Sequence, residues 1–244
     1  MSAGAEEDFE EGYRTNLDGT RALFEGIRKL GGDYSPRVVF ASTIAVFGAP
    51  LPDVIGDDQS STPLTSYGTQ KAMAELLLSD YSRRGFFDGI GIRLPTITVR
   101  PGKPNRAASG FFSAIIREPL SGHDAVLPVP DETRHWHASP RAAVDFLLHA
   151  AELDTGLLGG RRCLTMPGLS VTVEEQIEAL RRVAGDDVVG RVRREPDAAT
   201  MEIVAGWPRG FDTSRASALG FRAETDFDEI IRIHIEDELG GRIG

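Results

Sequence analysis

The sequence predicts an α/β protein, a doubly wound parallel sheet with a smaller C-terminal lobe, and three observations carry that expectation. Two short apolar runs without a polar face, Arg37-Val38-Val39-Phe40-Ala41 and Gly89-Ile90-Gly91-Ile92-Arg93-Leu94, read as strands buried on both sides, as parallel-sheet strands are. Segments of helical periodicity alternate with them in the rhythm of βαβ crossovers. The 244 residues, 41% hydrophobic and 26% charged, suffice for one such domain with an appended lobe.

Each element follows from local signals. Over residues 13–30, Leu17, Leu23, Phe24, Ile27 and Leu30 recur at helical spacing, and Gly31-Gly32 stops the helix. The strand at 37–41 leads into a loop carrying Pro50, Pro52 and Pro63, and then into a helix over about 66–84 that closes at Gly85. The strand at 89–94 follows. Beyond Pro95 comes a basic loop with Arg100, Lys103 and Arg106 among prolines and a glycine. A helix is expected near 111–117, a strand near 125–127, a polar segment over 134–139, a helix near 141–153, a strand over 162–166, and helices over 173–183 and 227–239. Loops lengthen and strands thin out after residue 100. The expected division is therefore 1–100 for the sheet domain and 101–244 mainly for the lobe, with some later elements returning to the sheet.

Composition narrows the function. A net charge of −10 opposes a phosphate backbone, so no nucleic-acid partner is expected. No apolar run is long enough to span a membrane, and residues 1–12 are acidic and polar where an export signal is basic and then apolar. The single cysteine, Cys163, forms no internal disulfide and suits the cytoplasm; its apolar neighbour Leu164 predicts an inert, buried thiol. His135 and His137 lack a third ligand at convincing spacing, so no metal is expected, and there is no Gly-x-Ser-x-Gly nucleophile elbow.

The chemistry concentrates in Tyr67-Gly68-Thr69-Gln70-Lys71, at the start of a helix. Residues four apart share a helix face, so the Tyr67 hydroxyl and the Lys71 ammonium can converge. A nearby cation favours the phenolate, which can then act as a general base. Upstream, Ser42 and Thr43 place two hydroxyls at the carboxyl end of a buried parallel strand, where open α/β sheets bind ligands.

Thr43, Tyr67 and Lys71, the Val46-Phe47-Gly48 that follows the strand, and Asn16-Leu17-Asp18-Gly19-Thr20 together resemble the extended short-chain dehydrogenase/reductases, the NAD-dependent epimerases and dehydratases. The resemblance implies a Rossmann-type fold and a nicotinamide cofactor, NAD with NADP left open. It implies Tyr67 as the base, Thr43 as hydrogen-bond partner of the reacting oxygen, Lys71 on the nicotinamide ribose and lowering the Tyr67 pKa, and Asn16 supporting the helix and a proton relay. Ser42, Leu94, Pro95 and Thr96 would line the cofactor beside Tyr67 and Lys71. A homodimer through the helices bearing Asn16 and Tyr67 is also implied.

Arg93 to Asn105, followed by Ala107 to Phe112 and together with Arg134 to Pro140, further resembles the group in that family that oxidises the C2 hydroxyl of a four-carbon sugar acid such as D-erythronate with NAD. A carboxylate substrate needs a cation, and arginine offers a planar bidentate fork. Arg100, Lys103, Arg106 and Arg134 are the candidates, with Trp136 as a substrate wall. Two other readings stand beside this one: a nucleotide-sugar epimerase or dehydratase, and a non-catalytic module unable to bind NAD. The family's Gly-x-x-Gly-x-x-Gly turn, which seats the pyrophosphate on a helix N-terminus, does not occur in these residues, nor does Gly-x-Gly-x-x-Gly. The expectation is an N-terminally incomplete Rossmann domain.

Overall fold

The computed structural model describes residues 4–102 and 108–244. The chain begins with α1 (Gly4–Glu7), α2 (Phe9–Tyr13), a π-helical turn (Arg14–Asp18), α3 (Gly19–Leu30), β1 (Arg37–Thr43), a 3-10 turn (Ile44–Val46), α4 (Ser66–Arg83) and β2 (Asp88–Leu94). It continues with β3 (Thr96–Ile97), α5 (Gly110–Leu120), β4 (Ala125–Leu127), β5 (Arg134–Ala138), α6 (Pro140–Glu152), β6 (Cys163–Thr165) and β7 (Leu169–Thr172). The last elements are α7 (Val173–Ala184), α8 (Asp186–Val189), β8 (Val192–Arg194), α9 (Ala198–Ala205), α10 (Ser214–Ala218) and α11 (Phe227–Leu239).

Two compact units result. The first takes Met1–Pro95, Val144–Pro167 and Phe211–Phe221; the second takes Thr96–Ala143, Gly168–Gly210 and Arg222–Gly244. In the first, β1, β2 and β6 pair in parallel in the order β1-β2-β6, with Ser42 opposite Arg93 and Thr43 opposite Leu94. Phe24 of α3, Phe40 of β1, Ala74 and Leu78 of α4, and Phe87 pack as one core on this sheet. Each such large side chain contributes roughly 1.5–3 kcal/mol when fully buried. The glycines of β2 have a packing reason: a Cβ at Gly91 would meet the Cys163 sulfur and the Leu78 side chain, so α4 can lie close only over a bare backbone.

The second unit pairs β5 with β3 in parallel and with β7 antiparallel, while β4 and β8 form a separate parallel pair. Its core joins Phe112, Ile115, Ile116 and Leu120 of α5 to Ile177 and Leu180 of α7 and to Ile230 and Ile231 of α11.

Three differences from expectation have physical causes. Residues 134–138, read as a polar segment, form β5, because His135 and His137 are buried and hydrogen-bonded. The strands β7 and β8 are four and three residues of mixed exposure, defined by their pairing and not by an apolar pattern. The long helix over 13–30 contains a π-helical turn, in which Asn16 is buried. Among the described residues, no helix is long and apolar enough to cross a membrane.

Candidate active site

The carboxyl end of β1 and the first turns of α4 are brought together by two hydroxyl caps. Thr43, in extended conformation, caps the 3-10 turn by accepting a hydrogen bond from the Ala45 N–H at 3.1 Å. Thr65 caps α4 by accepting from the Gly68 N–H at 3.0 Å. Gly68 is a close-approach position, since a Cβ there would run into the Ala45 carbonyl oxygen. That proximity brings the Tyr67 hydroxyl close enough to the Thr43 side chain for Thr43 to favour its ionised form.

Lys71 lies one turn further along α4. Its Nζ donates to the Ala41 carbonyl at 2.8 Å, sits 4.6 Å from the centroid of the Phe40 ring and is 6.0 Å from that of Tyr67. Burial pushes the Tyr67 hydroxyl above its ordinary pKa, and the Thr43 side chain acts in the opposite sense. The expected lowering by Lys71 is therefore not what this geometry produces: the ammonium is turned to a backbone carbonyl. Burial pushes Lys71 below its own ordinary value, opposed by the charge of Glu75.

Asn16 reaches the same helix. Its Nδ2 donates to Gln70 Oε1 at 2.7 Å, a buried amide pair one residue before Lys71. Ser42 is engaged internally, donating to Glu75 Oε1 at 2.5 Å. Leu94 is half-buried and Pro95 buried, at and just beyond the carboxyl end of β2. Thus Asn16, Ser42, Thr43, Tyr67 and Lys71 are linked through β1 and α4 of the first unit.

The remaining candidates belong to the second unit. Thr96 Oγ1 lies 2.7 Å from His135 Nε2. Arg100 is half-buried; its backbone N–H donates to Ser113 Oγ at 3.1 Å and its guanidinium reaches Ser109 Oγ at 3.4 Å. Burial, with Arg117 adding like charge, pushes the Arg100 pKa down. Arg134 already has partners, the Ser170 carbonyl at 2.6 Å and Glu175 at 3.2 Å, and Trp136 is buried. Lys103 and Arg106 lie outside the described residues. All four ring nitrogens of His135 and His137 face protein partners: Thr96, the Pro208 carbonyl, Thr98 and Gln176. The Cys163 thiol is pushed well up by burial, which makes it a poor nucleophile.

The donor set suits one end of a nicotinamide nucleotide. An ammonium has three N–H donors, and Lys71 commits one to Ala41, so the Lys71 ammonium and the Tyr67 hydroxyl can serve the two hydroxyls of a ribose. Sequence reasoning passed over Gly68, Gln70, Glu75 and Arg93 as site residues; the one signal for Glu75 was its position four residues after Lys71.

Residues 3–152 match the NAD dependent epimerase/dehydratase family. Over 237 residues the chain is 56% identical to the D-erythronate dehydrogenase of Cupriavidus necator, an alignment covering 97% of this chain and 72% of that protein. It is 45% identical to the D-erythronate dehydrogenase of Haemophilus influenzae, covering 98% of this chain and 75% of the relative. Among solved structures, the nucleoside-diphosphate-sugar epimerase from Agrobacterium tumefaciens superposes with a TM-score of 0.97 at 65% identity, over 100% of this chain and 72% of that one.

Proposed function

The chain belongs to the NAD-dependent epimerase/dehydratase family, and from that premise we propose that it is a dehydrogenase oxidising the C2 hydroxyl of a small sugar acid of the D-erythronate kind, with Tyr67 as base. One observation carries the reading: Tyr67 at the start of α4 lies beside Thr43 at the end of a parallel strand, with Lys71 one turn away on the same helix, its ammonium 6.0 Å from the Tyr67 ring. Thr43 would hold the substrate hydroxyl by donating to its oxygen, and Tyr67 would take the proton that leaves that oxygen. As it stands, the raised Tyr67 is a protonated phenol at neutral pH, so accepting a proton requires a nearby cation to favour the phenolate. Lys71 is the cation within reach, once its ammonium is shared between Ala41 and ligand. When bound, a nicotinamide supplies the hydride-accepting chemistry, and we assign NAD, the form in the family's description.

For the substrate carboxylate, chemistry favours Arg100 over Arg134. The Arg100 guanidinium meets a neutral serine and a like-charged neighbour, an arrangement an anion would relieve, while Arg134 is occupied by Glu175. Exposed Leu23 and Leu30 on α3 and Leu76 on α4 support the homodimer. The Agrobacterium structure, by its name, favours a second reading, epimerisation of a nucleotide sugar.

The test is a titration of NADH into the full chain, followed by nicotinamide fluorescence, and turnover assays with D-erythronate, a nucleotide sugar and NAD or NADP. Tyr67→Phe should lower turnover about 100- to 10,000-fold, the usual share of a general base, with NADH affinity nearly intact. Unchanged turnover removes Tyr67 from the mechanism. Conversion of the nucleotide sugar alone establishes the epimerase reading, and a folded chain that does not bind NADH is a non-catalytic module.

A further inference from the structure

One turn beyond Lys71, α4 carries Glu75, buried with its carboxylate fully engaged. Oε1 accepts from Ser42 Oγ at 2.5 Å and Arg93 Nε at 3.0 Å, and Oε2 accepts from Arg93 Nη2 at 2.7 Å. Ser42 and Arg93 are themselves direct register partners on β1 and β2, so this one carboxylate ties a helix to two adjacent strands at a single level. The Arg93 guanidinium is further held 5.0 Å from the centroid of the Phe47 ring, just after the 3-10 turn.

The level is what matters. Successive strand residues point to opposite faces, so fixing Ser42 toward Glu75 fixes the opposite direction for Thr43. A buried ion pair is often no more stabilising than apolar residues of the same volume, so stability alone does not account for its place here. We infer that Glu75, locked by Ser42 and Arg93, is a positioning residue for Thr43 and Lys71: it aims the Thr43 hydroxyl and supplies the counter-charge to the half-buried Lys71 ammonium. The functional value of this arrangement rests on the function proposed above; the electrostatic claim does not. Around Lys71, α4 contributes Tyr67 and Glu75, and β1 contributes the neutral Ala41 carbonyl and Phe40 ring. Arg93 of β2 and Cys163 of β6 act on Glu75. Glu75 is the charge that opposes the burial of Lys71.

The chain has three lysines, Lys29, Lys71 and Lys103, which makes the claim directly readable. Reductive methylation with ¹³C-formaldehyde labels each one, Lys71→Arg assigns the Lys71 signal, and a pH titration by NMR follows it in the full chain. In Glu75→Gln, Lys71 should titrate about one pH unit lower than in the parent, as expected for the loss of one close opposite charge. Should Glu75→Gln fail to fold with Arg93 left unpaired, the double variant Glu75→Met/Arg93→Met leaves no buried charge and should move Lys71 in the same direction. Lys29 is the internal control. A Lys71 titration unchanged in a folded variant overturns the inference. NADH affinity is read in parallel: if even the parent does not bind, the cofactor reading fails, while the titration still decides the role of Glu75.

Discussion

The two units bury polar side chains in opposite ways. In the first, the polar centre is charged: Glu75 and Arg93 form a bidentate pair, joined by Ser42, beneath the end of β1. In the second it is neutral. His135 and His137 project from β5 into hydrogen bonds with Thr96, Thr98, Gln176 and the Pro208 carbonyl, stacked among Phe112, Trp207 and Phe227. A charged pair is indifferent to pH between 5 and 8 but depends on both partners being present. A neutral imidazole tolerates partial loss of its contacts but not a proton. The difference teaches where each unit is fragile.

The largest expected effect comes from breaking the charged centre. Arg93→Leu leaves the Glu75 carboxylate buried without its cation, at a cost of about 3–5 kcal/mol. Urea unfolding followed by far-UV circular dichroism should show it, and Glu75→Met/Arg93→Met should recover most of the loss. A loss under about 1 kcal/mol for the single variant would mean the pair behaves as an exposed one and the contrast between the units fails.

The second unit should break with acid. Burial holds His135 down to about 4 and His137 well below its ordinary value. The unfolded chain, with an imidazole near 6.5, therefore binds more protons than the folded one in this window, so stability is present above pH 6.5 and is lost as pH falls toward 4. For His135 alone the loss between pH 7.5 and 5 is about 2 kcal/mol by linkage. Trp136 and Trp207 both belong to this unit, so tryptophan fluorescence in urea reads it directly. His135→Gln keeps a donor and an acceptor but cannot titrate, and should flatten the pH dependence; an equal slope in the variant would sink the assignment.

How much was legible in the sequence follows the same division. The strands at 37–43 and 88–94 and the helix from Ser66 were readable because each buries an apolar pattern that the chain repeats locally. Tyr67, Lys71 and Thr43 were readable because a helix turn and a strand end set their spacing. β5 was not, since two histidines and an arginine look polar until their partners on other segments are known. The same reason hid Glu75 and Arg93 as partners of Ser42, since the three lie on separate elements and acquire meaning from strand register. Nor does spacing show that the Lys71 ammonium turns to Ala41, because that is a choice among rotamers made by the packing around Phe40.

The smallest effect sharpens the comparison by moving a polar pair of the second unit from the core to the surface. Thr172 caps α7 by accepting from the Glu175 N–H at 3.1 Å, and Glu175 Oε2 accepts in return from the Thr172 N–H at 2.6 Å. The same carboxylate pairs with Arg134, a cation that the sequence suggests for substrate binding. Thr172→Ala should cost about 1 kcal/mol, the usual worth of an N-cap, with no change in pH dependence between 7.5 and 5. Tryptophan fluorescence in urea again provides the measurement. A cap that weakens the unit as much as acid does would place the stability of α7 in its first turn; the expected smaller loss places it in the burial of Ile177 and Leu180 within the apolar core of the second unit.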